Sequence, residues 1–564
     1  MKKHKAALDP ITVEIVANGL RSIADETFIA LMKSAYSTNI KERRDHSTAI
    51  CDRNGRLIIQ AEAALPIHIA SMTGLMTHLI SEFPGDIHEG DIFISNDPHA
   101  AGGTHLPDIN MAVPVFHRGV LIGFVCNIAH HADVGGMVPG SMAGGMSEIY
   151  QEGLRLPVIK LFRKGKLQED LLNLILLNVR IPNERRGDYF AQIAAARLGE
   201  RRMQEIFDNY GTPTMSAAFN EIVERTTKRM KAAIATIPEG SYSFIDVMDD
   251  DGLGTRDIPI RVRIDVKGEH IRFDFTGTSR QVRGNINVTL NATQAAVCYT
   301  LKALLDPDVP NNHGMLDLPE IVAEPGSLLN AIFPAPVAAR ANTCQRIIDV
   351  IIGALADALP QQVVAAANGA NTTAVFSGID PRTNSHYVYL ETLGGGFGGR
   401  ATKDGTDGVQ VHITNTSNLP IESIEMEYPL IVESYSLIED SGGPGRYRGG
   451  MGLRRAIRPV GHSCSFNGAI ERSTHQPWGL FGGGSGASGR FLHIAGDGKA
   501  TTLPTKPSSV QVRSDEALIV ESPGGGGYGP PRERDRGAIL ADKLGGKFSA
   551  TYIDRHYSIP RAAE

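Results

Sequence analysis

Residues 96–133 read NDPHAAGGTHLPDINMAVPVFHRGVLIGFVCNIAHHAD, and two apolar runs inside this stretch decide how the chain is laid out. Met111 to Phe116 and Val120 to Ile128 are short, almost wholly apolar runs that read as strands. The short connection His117-Arg118-Gly119 between them ends in glycine, which predicts a β-hairpin. Neighbouring strands run about 5 Å apart. His105 and Asp108, which enter the first strand, therefore meet His130, which leaves the second. His117 falls at the opposite, turn end and drops out of the cluster.

Five of the 18 histidines lie within residues 96–136, far more than even spacing would place there. Imidazole nitrogen and carboxylate oxygen together suit Zn²⁺, Mn²⁺ or Fe²⁺ better than Ca²⁺ or Mg²⁺. Two histidines with one or two carboxylates leave a position open for water, whose pKa the metal lowers. The expected metal ligands are His105, Asp108 and His130, with Asp45, just before an earlier hairpin, as a fourth. His131, Asp133 and Asp97 are the expected general base or the groups that orient the ligands.

Working outward, Pro10 to Ser37 reads as a long amphipathic helix, with Ile11, Ile15, Leu20, Ile23, Phe28 and Leu31 near a 3.6-residue period. Ser47–Asp52 and Arg56–Gln60, joined at Arg53-Asn54-Gly55, predict a first hairpin. Pro66 to Phe83 returns to helical periodicity and Asp91 to Ser95 is a short strand. Glu169 to Asn209 is helical. Its charged runs, Glu184-Arg185-Arg186 and Glu200-Arg201-Arg202, read as a solvated face. Phe244–Met248, Ile258–Val266 and Ile271–Phe275 predict a β meander, and helices return at Thr293–Leu305 and Cys344–Leu359. The clusters Gly394–Gly399, Gly482–Gly484 and Gly524–Gly527 follow no period and read as turns in a strand-rich C-terminal half.

The expected fold class is therefore α+β and multidomain. The expected units are a metal-bearing helix and hairpin domain at 1–240, a mixed α/β domain at 241–440, and a glycine-rich β region at 441–564. A chain of 564 residues is too long for one core, and 42% hydrophobic with 21% charged residues is ordinary globular composition. A net charge of −6 argues against nucleic acid as a partner. No apolar run is long enough to span a bilayer, and the basic start Met1-Lys2-Lys3-His4-Lys5 has no apolar signal core behind it. The five cysteines are scattered, with no Cys-x-x-Cys pair. The expected compartment is the cytoplasm.

The sequence has no Gly-x-x-x-x-Gly-Lys-Ser/Thr phosphate loop and no Gly-x-Ser-x-Gly nucleophile elbow. Two Gly-x-Gly-x-x-Gly matches, at Gly394 and Gly484, open no convincing helix. Any nucleotide would then be held by another chain.

Several segments carry a resemblance. They are Glu42-Arg43-Arg44-Asp45 with Ser47 to Asp52, Asn96-Asp97-Pro98, Gly102 to Asp108, and Ala129 to Gly136. Further ones are Asn415-Thr416, Pro420-Ile421-Glu422, Glu425 to Pro429, Ser441 to Gly450, and Pro523 to Gly529. On these the chain resembles the hydantoinase B/oxoprolinase family, the B-type subunits of ATP-dependent cyclic-amide hydrolases and related ketone carboxylases. The resemblance implies an obligate A-type ATPase partner in an A2B2 assembly, with ATP and Mg on that partner. It implies ring opening of hydantoin, 5-oxoproline or another lactam, activated by phosphorylation in the partner. One divalent transition metal, Zn or Mn, is expected on this chain. The family's ligands carry over onto His105, Asp108 and His130, less securely onto Asp45, and the adjacent His131 leaves the register of the third ligand open. A ketone carboxylase subunit and a non-catalytic scaffold for the ATPase subunit are the alternatives.

Overall fold

The computed structural model describes residues 8–557. Helix α1 (Pro10–Ser34) starts at Asp9, whose carboxylate accepts the Thr12 N–H, with proline in the first turn. It ends three residues short of the expected Ser37. Ala35 is extended, and Ser37 caps a separate short helix, Thr38–Lys41.

The first hairpin is strands β1 (His46–Asp52) and β2 (Leu57–Gln60), antiparallel. The Asp52 carboxylate accepts the Asn54 and Arg56 N–H groups, and Gly55 takes the left-handed conformation that closes the turn. Helix α2 (His68–Glu82) and strand β3 (Ile92–Ser95) follow. The second hairpin is β4 (Asp108–His117) and β5 (Val120–His130), then come β6 (Ile159–Arg163) and β7 (Lys166–Leu167). Together they form a seven-stranded antiparallel sheet in the order β2-β1-β5-β4-β3-β6-β7.

Both faces of this sheet are covered, which explains why its strands read as nearly continuous apolar runs. Ala49, Cys51, Phe93, Ala112, Phe124, Cys126 and Ile128 face one core. That core contains α2, helix α4 (Leu290–Leu305) and helix α5 (Arg340–Leu355). Ile50, Ile92, Ile94, Met111, Val113 and Val125 face a second core with α1 and helix α3 (Pro182–Tyr210). Burying each such side chain contributes roughly 1.5–3 kcal/mol.

The predicted meander is present as Gly240–Asp250, Arg256–Lys267 and His270–Asp274, with Glu320–Val322 added parallel at one edge. Two further sheets, of four and five strands, build the C-terminal half. Among the described residues, no helix is long and apolar enough to cross a membrane. The architecture is α+β with several packed sheets.

Two local readings fail. Arg185 is fully buried rather than solvated, paired with Glu184 and Asp188. Most of the clustered glycines are also not in turns, Gly482 with its φ of +91° being the exception. Extended segments around Gly396, Gly450, Gly484 and Gly525 lie side by side, bonded Gly450 N–H to Phe397 O at 2.8 Å, Gly525 N–H to Gly450 O at 2.9 Å and Gly527 N–H to Gly484 O at 2.9 Å. A Cβ at Gly396 would fall on the Gly450 carbonyl, and one at Gly525 on that of Phe397. The backbones approach too closely for any side chain.

Candidate metal centre

The register of the sheet places the site. Asp108, the first residue of β4, pairs directly with His130, the last of β5. The His130 N–H donates to the Asp45 carbonyl at 2.9 Å, so Asp45, His130 and Asp108 form one row across three adjacent segments. Cross-strand partners present side chains to the same face, here the face of the first core. His105 joins from the turn before β4.

Ligand-capable atoms of His105, Asp108 and His130 all lie within 4.8 Å of one another, and all three residues are buried. Asp108 Oδ1 is 3.0 Å from His105 Nε2 and 3.3 Å from His130 Nδ1. His105 Nδ1 lies 2.9 Å from the Ala338 carbonyl. A carbonyl only accepts, so this nitrogen carries the proton and Nε2 presents a lone pair. Nε2 of His105 and Nε2 of His130 are both buried without a hydrogen-bond partner. A lone pair facing a carboxylate in a closed pocket is unfavourable unless a cation lies between them, so the donor set fits a divalent transition ion.

The two carboxylate oxygens of Asp108 are divided. Oδ1 faces the imidazoles, while Oδ2 accepts from Arg340 at 2.6 Å and from the Thr104 hydroxyl at 3.3 Å. Burial opposes ionisation of Asp108, yet the positive charge beside it, with the Arg340 guanidinium on Oδ2, holds its carboxyl well below the ordinary carboxylate range. Burial first, then the Arg340 charge, pushes His105 down to about 4. Its imidazole is therefore neutral at pH 7, the form that binds metal.

Asp45, with its side chain 11% exposed, lines the same cavity, 3.9 Å from the Arg43 guanidinium. His68, the first residue of α2, was not anticipated from the sequence. Its Nε2 lies 3.9 Å from Asp45 Oδ1 and 3.8 Å from Asp108 Oδ1. The Ser47 hydroxyl oxygen accepts the Leu65 N–H at 2.9 Å and lies 2.9 Å from His68 Nδ1. Leaving no buried hydroxyl proton idle requires Ser47 to donate to Nδ1, which puts the His68 proton on Nε2, aimed at both carboxylates. His68 is thus a donor to the site.

The cavity enclosed by these groups is small, about 30 Å³, room for roughly two waters. Met142, Leu390 and Ile413 supply its apolar wall.

The remaining residues expected from the sequence lie elsewhere. His131, one position beyond β5, turns to the opposite face, bonding Gln192 Oε1 at 3.0 Å and packing on Tyr189. Asp133 pairs with Arg180 at 2.8 Å and accepts loop N–H groups. Asp97 accepts the His99 and Ala100 N–H groups, each at 2.8 Å, and pairs with Arg155 at 2.5 Å. None of the three lines the cavity. Arg340 and His68 begin the helices α5 and α2. Pro66 marked the start of α2, but nothing local marks Arg340, 232 residues from the Asp108 it binds.

Comparisons with known proteins place the chain in a family. The chain is 40% identical over 556 residues to an uncharacterized protein of Methanocaldococcus jannaschii, covering 98% of this chain and 96% of that one. It is 36% identical to the B-type subunit of a putative D-/L-hydantoinase from a Pseudomonas species, over 96% and 93% of the two chains. Its fold matches the crystal structure of ATP-dependent caprolactamase from Pseudomonas jessenii at a TM-score of 0.91 and 29% identity, covering 99% and 98%. The hydantoinase B/oxoprolinase family model matches residues 9–531, and the chain belongs to that family.

Proposed function

We propose that this chain is the metal-bearing subunit of an ATP-dependent cyclic-amide hydrolase, opening hydantoin, 5-oxoproline or another lactam. The observation that carries the reading is the buried cluster of His105, Asp108 and His130, whose ligand atoms lie within 4.8 Å of one another and in which Nε2 of each histidine has no hydrogen-bond partner. These three residues, with Asp45, would hold one Zn or Mn ion. Such an ion lowers the pKa of a bound water towards neutrality.

The chain's own residues hold that geometry. Arg340 and Thr104 fix the outer oxygen of Asp108, and the Ala338 carbonyl fixes the His105 tautomer. His68 turns its Nε2 towards the carboxylates of Asp45 and Asp108, at 3.9 and 3.8 Å. His131, Asp133 and Asp97 act on the site only by holding the segments that carry it.

Amide resonance makes the ring carbon a poor electrophile, and phosphorylation of its oxygen in a partner ATPase removes that protection. One water then adds to the carbon, the C–N bond breaks as a proton moves to nitrogen, and a second water releases phosphate from the acyl phosphate left behind. We assign ATP and Mg to the partner, an A-type subunit in an A2B2 assembly, supported by the name of the hydantoinase relative, which makes it one subunit of a larger enzyme. Five free, buried cysteines support a reducing, cytoplasmic setting.

The test combines this chain with its partner, ATP and each cyclic amide, alongside metal analysis. Bound metal, ATP-dependent ring opening, and loss of both in His105→Ala/His130→Ala are expected. Full activity of the double variant would reduce the chain to a scaffold. Consumption of bicarbonate with acetone, in place of ring opening, would make it a ketone carboxylase subunit.

A further inference from the structure

We propose that a second cavity, between α2 and α4, binds a monocarboxylate with a compact apolar body, and that its occupancy is felt at the metal centre through the turn Leu65–Ile69. The binding site stands without the function proposed above. Its link to that function rests on it, because ring opening of a cyclic amide leaves a carboxylate.

The cavity measures about 230 Å³, above the roughly 150 Å³ that takes up benzene in an engineered protein core. Pro66, Ile69, Ala295, Cys298 and Met315 give it an apolar wall, and Tyr299, Lys302 and Asn311 are its polar groups. The lysine sets the chemistry. Lys302 is half-buried, and of its three N–H donors one meets Asn311 Oδ1 at 2.9 Å. Among the described residues no carboxylate lies within ion-pair distance of it. Asp306, one turn on, is held through both oxygens by the Arg229 guanidinium. Asp308 and Glu62 are exposed and border a separate recess together with Arg21.

Burial lowers the pKa of Lys302, and Asp306 and Asp308 offset only part of that effect. A desolvated charge is unfavourable without a counter-charge, so the ammonium favours an anion, and its single charge matches a carboxylate better than a phosphate. Tyr299 lies three residues earlier on the same face of α4. Its hydroxyl makes no hydrogen bond among the described residues, and burial pushes it up to about 12, so it remains a donor at neutral pH. One cation and one neutral donor above an apolar wall suit a carboxylate joined to a hydrocarbon chain or ring.

The wall has two sides. Pro66 and Ile69 face this cavity, while Leu65, Ile67 and His68 face the metal centre. The turn is closed by the His68 N–H on the Leu65 carbonyl at 3.1 Å and the Ile69 N–H on that of Pro66 at 3.3 Å. The Ile67 N–H reaches the carbonyl of Ile413, another wall residue of the metal centre, at 3.3 Å. Close-packed interiors transmit displacement, so a ligand seated on Pro66 and Ile69 shifts the groups on the far side.

The experiment uses the full chain with ¹³C-labelled isoleucine Cδ1 methyl groups, hexanoate as the probe and hexanamide as its uncharged counterpart. Ile69 reports the cavity and Ile413 the metal centre; hexanoate has no ring current, so a shift at Ile413 reports displacement. Both signals are expected to move saturably with one midpoint. Hexanamide should bind about 10-fold more weakly or worse, the range of one hydrogen bond to a charged group. In Lys302→Met hexanoate should fall to the level of hexanamide, and Lys302→Arg should recover part of the difference. Ala303→Trp, at the exposed rim of the cavity, should abolish both shifts.

No shift at Ile69 with hexanoate would overturn the site. Equal binding of hexanoate and hexanamide, or unchanged hexanoate binding in Lys302→Met, would overturn the carboxylate assignment. A shift confined to Ile69 would overturn the link to the metal centre, as would an Ile413 shift that survives Ala303→Trp. Absence of ring opening by the complete enzyme, with these shifts intact, would instead strike the proposed function and leave the site standing.

Discussion

Glu152 offers a sharp test of the framework behind the metal ligands. It is fully buried, and one carboxylate oxygen accepts the Val337 and Ala338 N–H groups, both at 2.7 Å. The other oxygen has no partner. Ala338 is the residue whose carbonyl holds His105. Burial raises the Glu152 carboxyl from its ordinary 4.5 to about 8, the two amides and the Arg340 charge offsetting only part of that effect.

A group whose pKa rises on folding stabilises the fold fully below its unfolded value, and that stabilisation disappears as pH climbs through the folded value. The window here runs from pH 4.5 to about 8. At 1.36 kcal/mol per unit, the loss amounts to about 5 kcal/mol across the window and about 3 kcal/mol by pH 7.

Glu152→Gln keeps the shape and cannot ionise. Unfolding entropy of about 2.1 cal/mol/K per residue over this length makes 1 kcal/mol worth roughly 1 °C in Tm. The difference in Tm, variant minus wild type, should therefore rise by about 4 °C between pH 5 and pH 9. Infrared spectra should show a protonated carboxyl band at pH 6 that the variant lacks. Parallel Tm curves, or a difference that shrinks with rising pH, would refute the reasoning.

Other perturbations separate neighbouring roles. His130→Ala should abolish metal binding, whereas His131→Ala should keep the metal and lose stability through Gln192 and Tyr189; metal analysis with thermal melts decides between them. Asp246 is held at about 2 because Arg346, Arg472 and the Trp478 N–H outweigh its burial. Its stabilisation, about 2 kcal/mol, is present above pH 3.8 and lost as pH falls through 2. Asp246→Asn should cost about 2 kcal/mol at pH 7, because Arg472 keeps Asp349 and Arg346 keeps Glu471, with the gap to wild type narrowing in acid denaturation. Gly525→Ala should cost roughly 1–3 kcal/mol or more by overpacking, while Gly240→Ala, whose neighbours begin at 3.4 Å, should melt like wild type.

What the sequence displays is what local physics controls. Two apolar runs joined by a glycine-ended turn specified the β4–β5 hairpin, and with it the meeting of Asp108 and His130. Helical periodicity with a proline at or near the start located α1 and α2. Readings failed where the deciding contact is distant. Arg185 looks like part of a charged surface run, and only the packing of α3 against the sheet buries it. The glycine clusters look like turns because glycine usually means positive φ, which holds at Gly482, whereas at Gly396 and Gly525 its use is the absent Cβ between stacked backbones. His68 and Arg340 come to Asp108 through the packing of α2 and α5 over one face of the sheet, which no pattern along the chain encodes.

The adjacent histidines show how narrow the margin is between a site and a scaffold. His130 and His131 have the same chemistry, so composition cannot choose between them. The choice is made by the parity of β5, in which Cys126 and Ile128 face the first core and carry His130 to the same side. A slip of one residue would turn His131 towards Asp108 and bury His130 against α3. That slip is opposed along the whole strand, because it would also expose Phe124, Cys126 and Ile128 to the wrong core. It would break the pairing of Asp108 with His130 and of His46 with Ala129 as well. The ligand set is thus secured less by the ligands themselves than by the apolar pattern of the strand that carries them.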